Sequence, residues 1–298
     1  MPLNIQPLSY AMGARVTGID LSQPLTDAQW SEIHAAWLKH ILLVFPNQKL
    51  TPEQQISFAG RFGPLDDHHE DPTYRLPGYP EIYQIGNFMM DGKMSKTKDT
   101  GRKWHSDHSY TTRPTLVSML YCRKIPSVGG STAFSNMYLA YDTLSDKLKS
   151  ILEDMEAVHD LTNYLRPTLL WKPSVKSTDA IRAKFPAVVQ PVIRVHPETG
   201  RKALYVNEGQ TSRLLGLTEE EGEGLLDFLF RHSVRPEFTY RHFYQVDDLV
   251  LWDNRCAQHI ALADYVHDSD HPRHMYRLTV LGEPCGRLYE PEATAKAL

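Results

Sequence analysis

The sequence predicts a mainly β fold of jelly-roll type with flanking helices. Short strand-like apolar stretches recur between turn residues, and a few helical segments lie in front of and between them. Helices do not alternate regularly with strands, and no glycine-rich fingerprint follows a strand, so a doubly wound sheet is not expected. The 298 residues contain no internal repeat or low-complexity linker, and we therefore expect a single domain over 1–298.

Composition narrows the possible partners. The formal charge of -4 argues against nucleic acid or an anionic membrane as the main partner. No apolar run approaches the roughly 20 residues that a membrane span needs, and the first residues lack a signal-peptide pattern. The three cysteines show no paired spacing, which argues against a disulfide framework or a zinc knuckle. A cytoplasmic protein is the simplest expectation.

The first part of the chain predicts short strands around a turn over residues 3–20. Thr26 begins a helix with one apolar face, and residues 41–45 form a buried strand. Thr51 begins a second helix, with a proline in its first turn, that is expected to end at Gly63-Pro64.

The middle of the chain is more irregular. Residues 66–102 are rich in Pro, Gly, Asp and Lys around one predicted strand at 81–85, a composition typical of lids and binding loops. A strand is predicted at 118–122, and Gly129-Gly130 forms a turn into a strand at 132–134. One helix is expected across 137–156.

A second open stretch covers about 162–186, and 188–206 predicts a hairpin that turns at 197–200. Thr218 begins another helix, which ends near His232, and the tail from Glu290 is expected to fray. The remaining strands are predicted at 238–243, 249–252 and 274–281.

A metal site is suggested by His105 and Asp107, which are two residues apart and would leave one face of an extended strand together. A distant histidine would complete a 2-His-1-carboxylate triad, the arrangement of non-haem Fe(II) oxygenases, with one side of the ion open. The pair alone is weak, because the chain has 14 histidines and 69–71 repeats the pattern. Pro72 makes that second copy less compatible with a strand.

Four histidines compete for the third position. His259 is preferred because it follows an apolar strand and a tight turn at 253–254. His267 and His271 lie in an acidic loop, and His274 falls on the face of its predicted strand opposite the two nearby arginines.

Those arginines, Arg273 and Arg277, are four apart and would point to the same side of one strand. The pattern alone leaves open whether that side is solvated or internal. If it is internal, each guanidinium needs an anion, because burying it unpaired is costly, and carboxylate, sulfonate or phosphate groups suit its shape.

The order of these motifs resembles the taurine / 2,4-dichlorophenoxyacetate dioxygenase family of Fe(II)- and 2-oxoglutarate-dependent enzymes. The resemblance spans nearly the whole chain and is carried by residues 18–21, 61–65, 105–107, 129–132, 196–202, 252–259, Arg273 and Arg277. It implies a double-stranded β-helix. It also implies that His105, Asp107 and His259 bind Fe(II), and that Thr132 and Arg273 hold the distal carboxylate of 2-oxoglutarate.

The resemblance further implies that Arg277 and His68 contact the substrate. The expected substrates are O2 and a small anion of the sulfonate, sulfate ester or aryloxy/carboxylate type, whose hydroxylated product would fragment. The loop at 66–71 lacks an aromatic residue found in taurine enzymes, and Ser131 stands where an aspartate is common. A homo-oligomer is expected by family analogy.

Two other classes compete with the dioxygenase. One is a cupin-like jelly roll whose metal serves an isomerase or hydrolase, and the other is a non-catalytic β-sandwich binding module. Neither explains Thr132 together with the two arginines. Because Asp107 is a carboxylate, it leaves no place for a halide, which favours hydroxylation over halogenation.

Overall fold

The computed structural model describes residues 3–66, 71–165 and 178–291. Strands dominate these residues, and helices flank them. The strands are β1 (Asn4–Pro7), β2 (Ala14–Thr17), β3 (Leu42–Phe45), β4 (Arg75–Leu76), β5 (Tyr79–Gly86), β6 (Met89–Met90), β7 (Lys93–Met94), β8 (Thr115–Lys124), β9 (Thr132–Asn136), β10 (Glu156–His159), β11 (Val188–Pro191), β12 (Ile193–Val195), β13 (Lys202–Leu204), β14 (Thr211–Leu214), β15 (Thr239–His242), β16 (Leu249–Asp253), β17 (Ala257–Ala261), β18 (His274–Leu281) and β19 (Arg287–Leu288).

The helices are α1 (Asp27–His40), α2 (Pro52–Ala59), α3 (Met137–Asp142), α4 (Asp146–Leu152), α5 (Leu161–Tyr164), α6 (Asp179–Lys184) and α7 (Glu219–Ser233). Short 3₁₀ turns occupy Pro72–Tyr74, Lys96–Asp99 and Pro236–Phe238. No helix among these described residues combines the length and apolar character required to cross a membrane.

An eight-stranded sheet has the order β1-β2-β3-β16-β8-β18-β5-β4. Its pairs are antiparallel except for β2 and β3. A four-stranded sheet follows the order β14-β10-β11-β19, a three-stranded sheet the order β15-β9-β17, and two hairpins pair β12 with β13 and β6 with β7. The three-stranded sheet and the middle of the large sheet carry the site described below.

Two hydrophobic cores lie on opposite faces of the large sheet, because neighbouring side chains of a strand point to opposite sides. On β16, Leu251 packs into the core covered by α1 and α2, which contains Ile33 and Trp37. The next residue, Trp252, packs into the other core, with Phe134 of β9. The predicted fold class, mainly β with flanking helices, is confirmed at this level.

Helix starts were predictable from sequence. Thr26, Thr51 and Thr218 each form a capping box. The threonine hydroxyl accepts from the backbone amide three residues later, and the side chain of that residue accepts from the threonine backbone amide. The predicted end of the second helix was wrong: α2 stops at Ala59, with Gly60 as its cap.

The single helix predicted across 137–156 was also wrong. It is split into α3 and α4 because the Thr143 hydroxyl bonds the Leu139 carbonyl at the end of α3, and Ser145 caps a new helix. Of the final residues, Glu156 begins β10 and the three before it lie in the turn after α4. The 66–102 stretch is more ordered than expected, with β4 to β7 and two 3₁₀ turns among its described residues. Most of the tail from Glu290 lies outside the described residues.

Candidate metal centre and its surroundings

His105 and His259 meet across an isolated antiparallel bridge. Each backbone amide donates to the carbonyl of the other, at 3.0 and 2.8 Å, and the ring centroids are 4.2 Å apart. The prediction that His105 and Asp107 share an extended strand was wrong, because only His105 makes a bridge and Asp107 begins a turn. His259 lies within β17, paired with Phe134.

Three side chains nevertheless converge. Asp107 Oδ1 is 3.6 Å from His105 Nε2, and Asp107 Oδ2 is 3.9 Å from His259 Nε2. The three ligand atoms all lie within 4.8 Å of one another, and all three residues are buried. Two imidazoles and one carboxylate form a donor set that suits a non-haem Fe(II) ion.

The histidines are in a state that can bind a metal. His105 Nδ1 is 2.7 Å from the Lys103 carbonyl, a contact that requires the proton on Nδ1 and leaves the Nε2 lone pair directed at the cluster. Burial, reinforced by the nearby His105, lowers the pKa of His259 to about 3, so that its ring is neutral at physiological pH. The ring packs against Trp252, with centroids 4.6 Å apart.

Asp107 is held by two polar neighbours. The Ser118 hydroxyl donates to Asp107 Oδ2 at 2.5 Å, and the Asp107 amide donates to Asn254 Oδ1 at 3.1 Å. Asn254 Nδ2 also donates to the Ser118 hydroxyl at 2.9 Å. Burial by itself raises the pKa of Asp107, but His259, His105 and Arg277 outweigh it and hold that pKa well below its usual value. The carboxylate is therefore ionised.

Thr132 and Arg273 lie together beside this cluster. Arg273 Nε donates to the Gly130 carbonyl at 2.8 Å, and its Nη2 is 3.4 Å from the Thr132 hydroxyl. The Tyr244 hydroxyl donates to Thr132 at 3.3 Å. Arg273 is 4% exposed, and no carboxylate of the described residues pairs with it. A buried guanidinium without a carboxylate partner is suited to bind the carboxylate of a ligand.

Arg273 and Arg277 both point inward, which resolves the alternative left open by the sequence. Arg277 Nη1 is 3.8 Å from Asp107 Oδ1, and its guanidinium lies over the Tyr83 ring at 5.2 Å. Arg277 is on β18, whereas Arg273 precedes it across a register shift at His274.

The competing histidines do not join the cluster. His267 contacts Arg102, His271 bonds Asp268, and His274 stacks on Phe88. His68, predicted to contact the substrate, lies outside the described residues.

Sequence reasoning missed several residues of this site. Asn254 lies in the 252–259 motif but was given no role, and Ser118 is one of three hydroxyl-bearing residues of β8, so no signal in the sequence singled it out. Nothing in the sequence pointed to Tyr244. Ser131, where an aspartate is common in the family, donates to Asp264 at 3.0 Å, so that a carboxylate from the β17–β18 loop supports this turn.

Comparison with known proteins identifies the family. The model of the "Taurine catabolism dioxygenase TauD, TfdA family" matches residues 4–279, and the protein belongs to this family. Its members are oxidoreductases that use Fe(II) and 2-oxoglutarate, so the predicted enzyme class and cofactors are confirmed.

Two curated relatives are 35% identical to the chain. The (S)-phenoxypropionate/alpha-ketoglutarate-dioxygenase of Sphingobium herbicidovorans aligns over 94% of this chain and 96% of its own length. The alpha-ketoglutarate-dependent 2,4-dichlorophenoxyacetate dioxygenase of Cupriavidus pinatubonensis aligns over 87% and 92%. Among solved structures, AAD-2 in complex with Mn(II) and N-oxalylglycine has a TM-score of 0.82 and 34% identity, covering 96% of this chain and 99% of that one.

Proposed function

We propose that His105, Asp107 and His259 bind Fe(II), that Thr132 and Arg273 bind the distal carboxylate of 2-oxoglutarate, and that the enzyme hydroxylates an aryloxy-substituted carboxylate. The observation that carries the metal assignment is the convergence of the ligand atoms of two imidazoles and one carboxylate within 4.8 Å of one another. When bound, Fe(II) with 2-oxoglutarate and O2 supplies the oxidation of a substrate C–H bond.

The chain's own residues bind and orient the reactants. Ser118 and Asn254 fix the Asp107 carboxylate, and the Lys103 carbonyl fixes the His105 ring. Arg273 and Thr132 offer a cation and a hydroxyl to one carboxylate in a site closed to bulk water. Arg277, buried beside Asp107, is the cation we assign to the anionic group of the substrate.

The substrate class rests on the relatives and on Arg277. Both 35%-identical relatives are named for acids that carry an aryloxy group, and a second buried arginine supplies the charge that such an acid needs. Hydroxylation at the carbon that bears the ether oxygen gives a hemiacetal-type product, which fragments to a phenol and a keto acid. His68 remains a prediction as a further substrate contact.

We also propose the finer features of the whole protein. The order of the sheets and the similarity to AAD-2 support a double-stranded β-helix and one domain over 1–298. Three cysteines without a disulfide are compatible with the cytoplasm. The homo-oligomer stays a prediction.

The direct test is O2 uptake and succinate formation with Fe(II), 2-oxoglutarate and a panel of aryloxyalkanoates, sulfonates and sulfate esters. We expect turnover with aryloxyalkanoates and its loss in Asp107→Ala. Asp270→Ala, which removes an exposed carboxylate from the β17–β18 loop, is the matched control and should retain turnover.

The alternatives predict different results. Tight zinc binding without 2-oxoglutarate-dependent O2 uptake would support the cupin-like enzyme. Absence of any stoichiometric divalent metal would support the binding module. Full substrate-coupled succinate formation by Asp107→Ala would reject the metal assignment.

A further inference from the structure

A cleft lies on the side of β16 opposite the metal cluster. Trp252 faces His259, and the next residue, Asp253, faces the other way, where its partner Arg255 lies over the Trp37 ring of α1. The cleft has a volume of about 450 Å³, within the range of small-ligand sites. Its walls combine aromatic groups, such as Trp30, with charged groups of both signs: Arg113, Arg194, Arg255, Glu198 and Glu283.

Arg194 of β12 is the unusual member of this lining. It is 7% exposed, and its Nη1 is buried without a hydrogen-bond partner. Its guanidinium lies 4.8 Å from the centre of the Tyr205 ring, whose hydroxyl is also buried without a hydrogen-bond partner. Tyr205 can accept a hydrogen bond from the guanidinium but offers it no negative charge, so the buried cation retains a desolvation cost.

Asp253 and Glu198 are already paired with other cations, and Glu283, which also lines the cleft, is exposed. Asp253 accepts from Arg255 Nε at 2.9 Å and Nη2 at 2.7 Å, and from His196 Nε2 at 3.0 Å. Glu198 pairs with Arg255 Nη1 at 2.7 Å and with His34 at 3.1 Å. No ion pair within 4.0 Å joins Arg194 to a carboxylate of the described residues.

Arg194 thus has no carboxylate of its own below an open cleft, because Asp253, whose charge acts on it, is already bonded to Arg255 and His196. Burying an unpaired guanidinium is costly unless an anion approaches it. An inorganic oxyanion would fill little of this volume and would not contact the aromatic walls. An acid with an apolar body would contact both the walls and the guanidinium. At the rim, Arg113 is exposed and held by a 2.5 Å bond from its Nε to the Gly282 carbonyl.

We propose that this cleft is a second ligand site, which binds a small organic carboxylate through the Arg194 guanidinium. The site is separate from the iron centre and does not depend on the function proposed above. The ligand carboxylate supplies the missing negative charge, and its apolar body packs on the aromatic side chains of α1 and of the segment after α2.

The probe is benzoate, titrated by calorimetry into enzyme loaded with Mn(II) and saturating 2-oxoglutarate, at constant ionic strength. Inorganic phosphate in a parallel titration separates an organic carboxylate from any oxyanion. We expect saturable binding of benzoate and at least tenfold weaker binding of phosphate. Equal affinity for the two would overturn the assignment to an organic carboxylate.

Arg194→Met keeps an unbranched side chain that can pack like the aliphatic part of arginine, and it removes the charge. We expect it to abolish benzoate binding and to leave the melting temperature of the benzoate-free protein unchanged or raised, because an unpaired buried charge is lost. If Arg194 only supports the fold, this variant melts lower and still binds benzoate. Should Arg194→Met fail to fold, Arg194→Lys retains a cation without the planar fork, and benzoate should bind at least tenfold more weakly.

The control is Arg277→Met, which removes the cation of the iron site. Benzoate binding that persists in this variant supports the cleft. Binding that is lost in Arg277→Met and kept in the Arg194 variants would assign benzoate to the iron site and reject the proposal. No binding to the wild-type enzyme at millimolar benzoate would reject it as well.

Discussion

The Ser118 hydroxyl of β8 donates to the Asp107 carboxylate, and Ser118 is fully buried. Removing the hydrogen-bonding partner of a ligand typically costs 10- to 100-fold in metal affinity. We therefore expect Ser118→Ala to weaken Mn(II) binding by about 10- to 100-fold, measured by calorimetry on the metal-free protein.

Ser118→Thr is the matched variant, because it keeps the hydroxyl and adds one methyl group. It should restore most of the metal affinity, although the extra methyl in a buried strand should lower the free energy of unfolding by about 1 kcal/mol. Equal Mn(II) affinity in Ser118→Ala and the wild type would show that Asp107 is oriented without this hydroxyl.

Arg273 and Arg277 are both buried arginines, and we propose different ligands for them because their contacts differ. Arg273 lies with Thr132, and Arg277 lies beside Asp107. We expect Arg273→Ala to raise the KM for 2-oxoglutarate by at least 100-fold, because a charge-assisted pair in a buried site contributes about 3 kcal/mol. Arg277→Ala should raise the KM for the aryloxy acid and change the 2-oxoglutarate KM little.

The two constants are measured by succinate formation in separate titrations. An unchanged 2-oxoglutarate KM in Arg273→Ala would show that another residue binds the distal carboxylate of 2-oxoglutarate. Equal loss of both affinities in Arg277→Ala would remove the distinction between the two arginines.

At the scale of elements, the junction of β5 and β18 fixes the backbone of Arg273. Gly86 ends β5 with φ 133°, and a Cβ built there would lie 1.7 Å from the Arg273 carbonyl oxygen. Asn87 then accepts from the Arg273 amide at 2.7 Å. We expect Gly86→Ala to displace Arg273 and raise the 2-oxoglutarate KM at least tenfold.

Gly78, which precedes β5, is the matched control for this substitution. Its φ is 83°, but a Cβ there meets nothing within 4 Å. Gly78→Ala should therefore cost about 1 kcal/mol of stability from backbone strain and leave the 2-oxoglutarate KM unchanged. Equal effects of both variants on this KM would show that strain, and not the approach to Arg273, is responsible.

The elements also show which structural features could be predicted from the sequence. Helix starts were predictable because a capping box is a local device of four residues, as at Thr218. The metal ligands could be proposed because their spacing and order can be read from the sequence. Their geometry could not be predicted, because the bridge between His105 and His259 pairs residues 154 positions apart and no local pattern encodes it. For the same reason, the contact of Ser118 with Asn254 had no sequence signal.

At the scale of the whole molecule, the site joins parts of the chain that only folding brings together. The three candidate metal ligands lie in a turn before β8 and on a strand of the three-stranded sheet, and the proposed 2-oxoglutarate anchor lies on β9 and just before β18. The unfolded chain has none of these arrangements. A ligand that bridges them binds the folded state selectively, and its binding free energy adds to stability.

This linkage predicts a measurable shift in thermal unfolding. At 100 times their dissociation constants, Mn(II) and 2-oxoglutarate together should stabilise the fold by at least about 2.7 kcal/mol, which raises the melting temperature by roughly 5 °C or more for a chain of this size. Because 2-oxoglutarate is expected to chelate the metal, 2-oxoglutarate alone should give a much smaller shift. Asp107→Ala should lose the joint shift, whereas Asp270→Ala should keep it. A full joint shift in Asp107→Ala would place the metal elsewhere in the protein, since stabilisation of this size requires an intact site in the folded state.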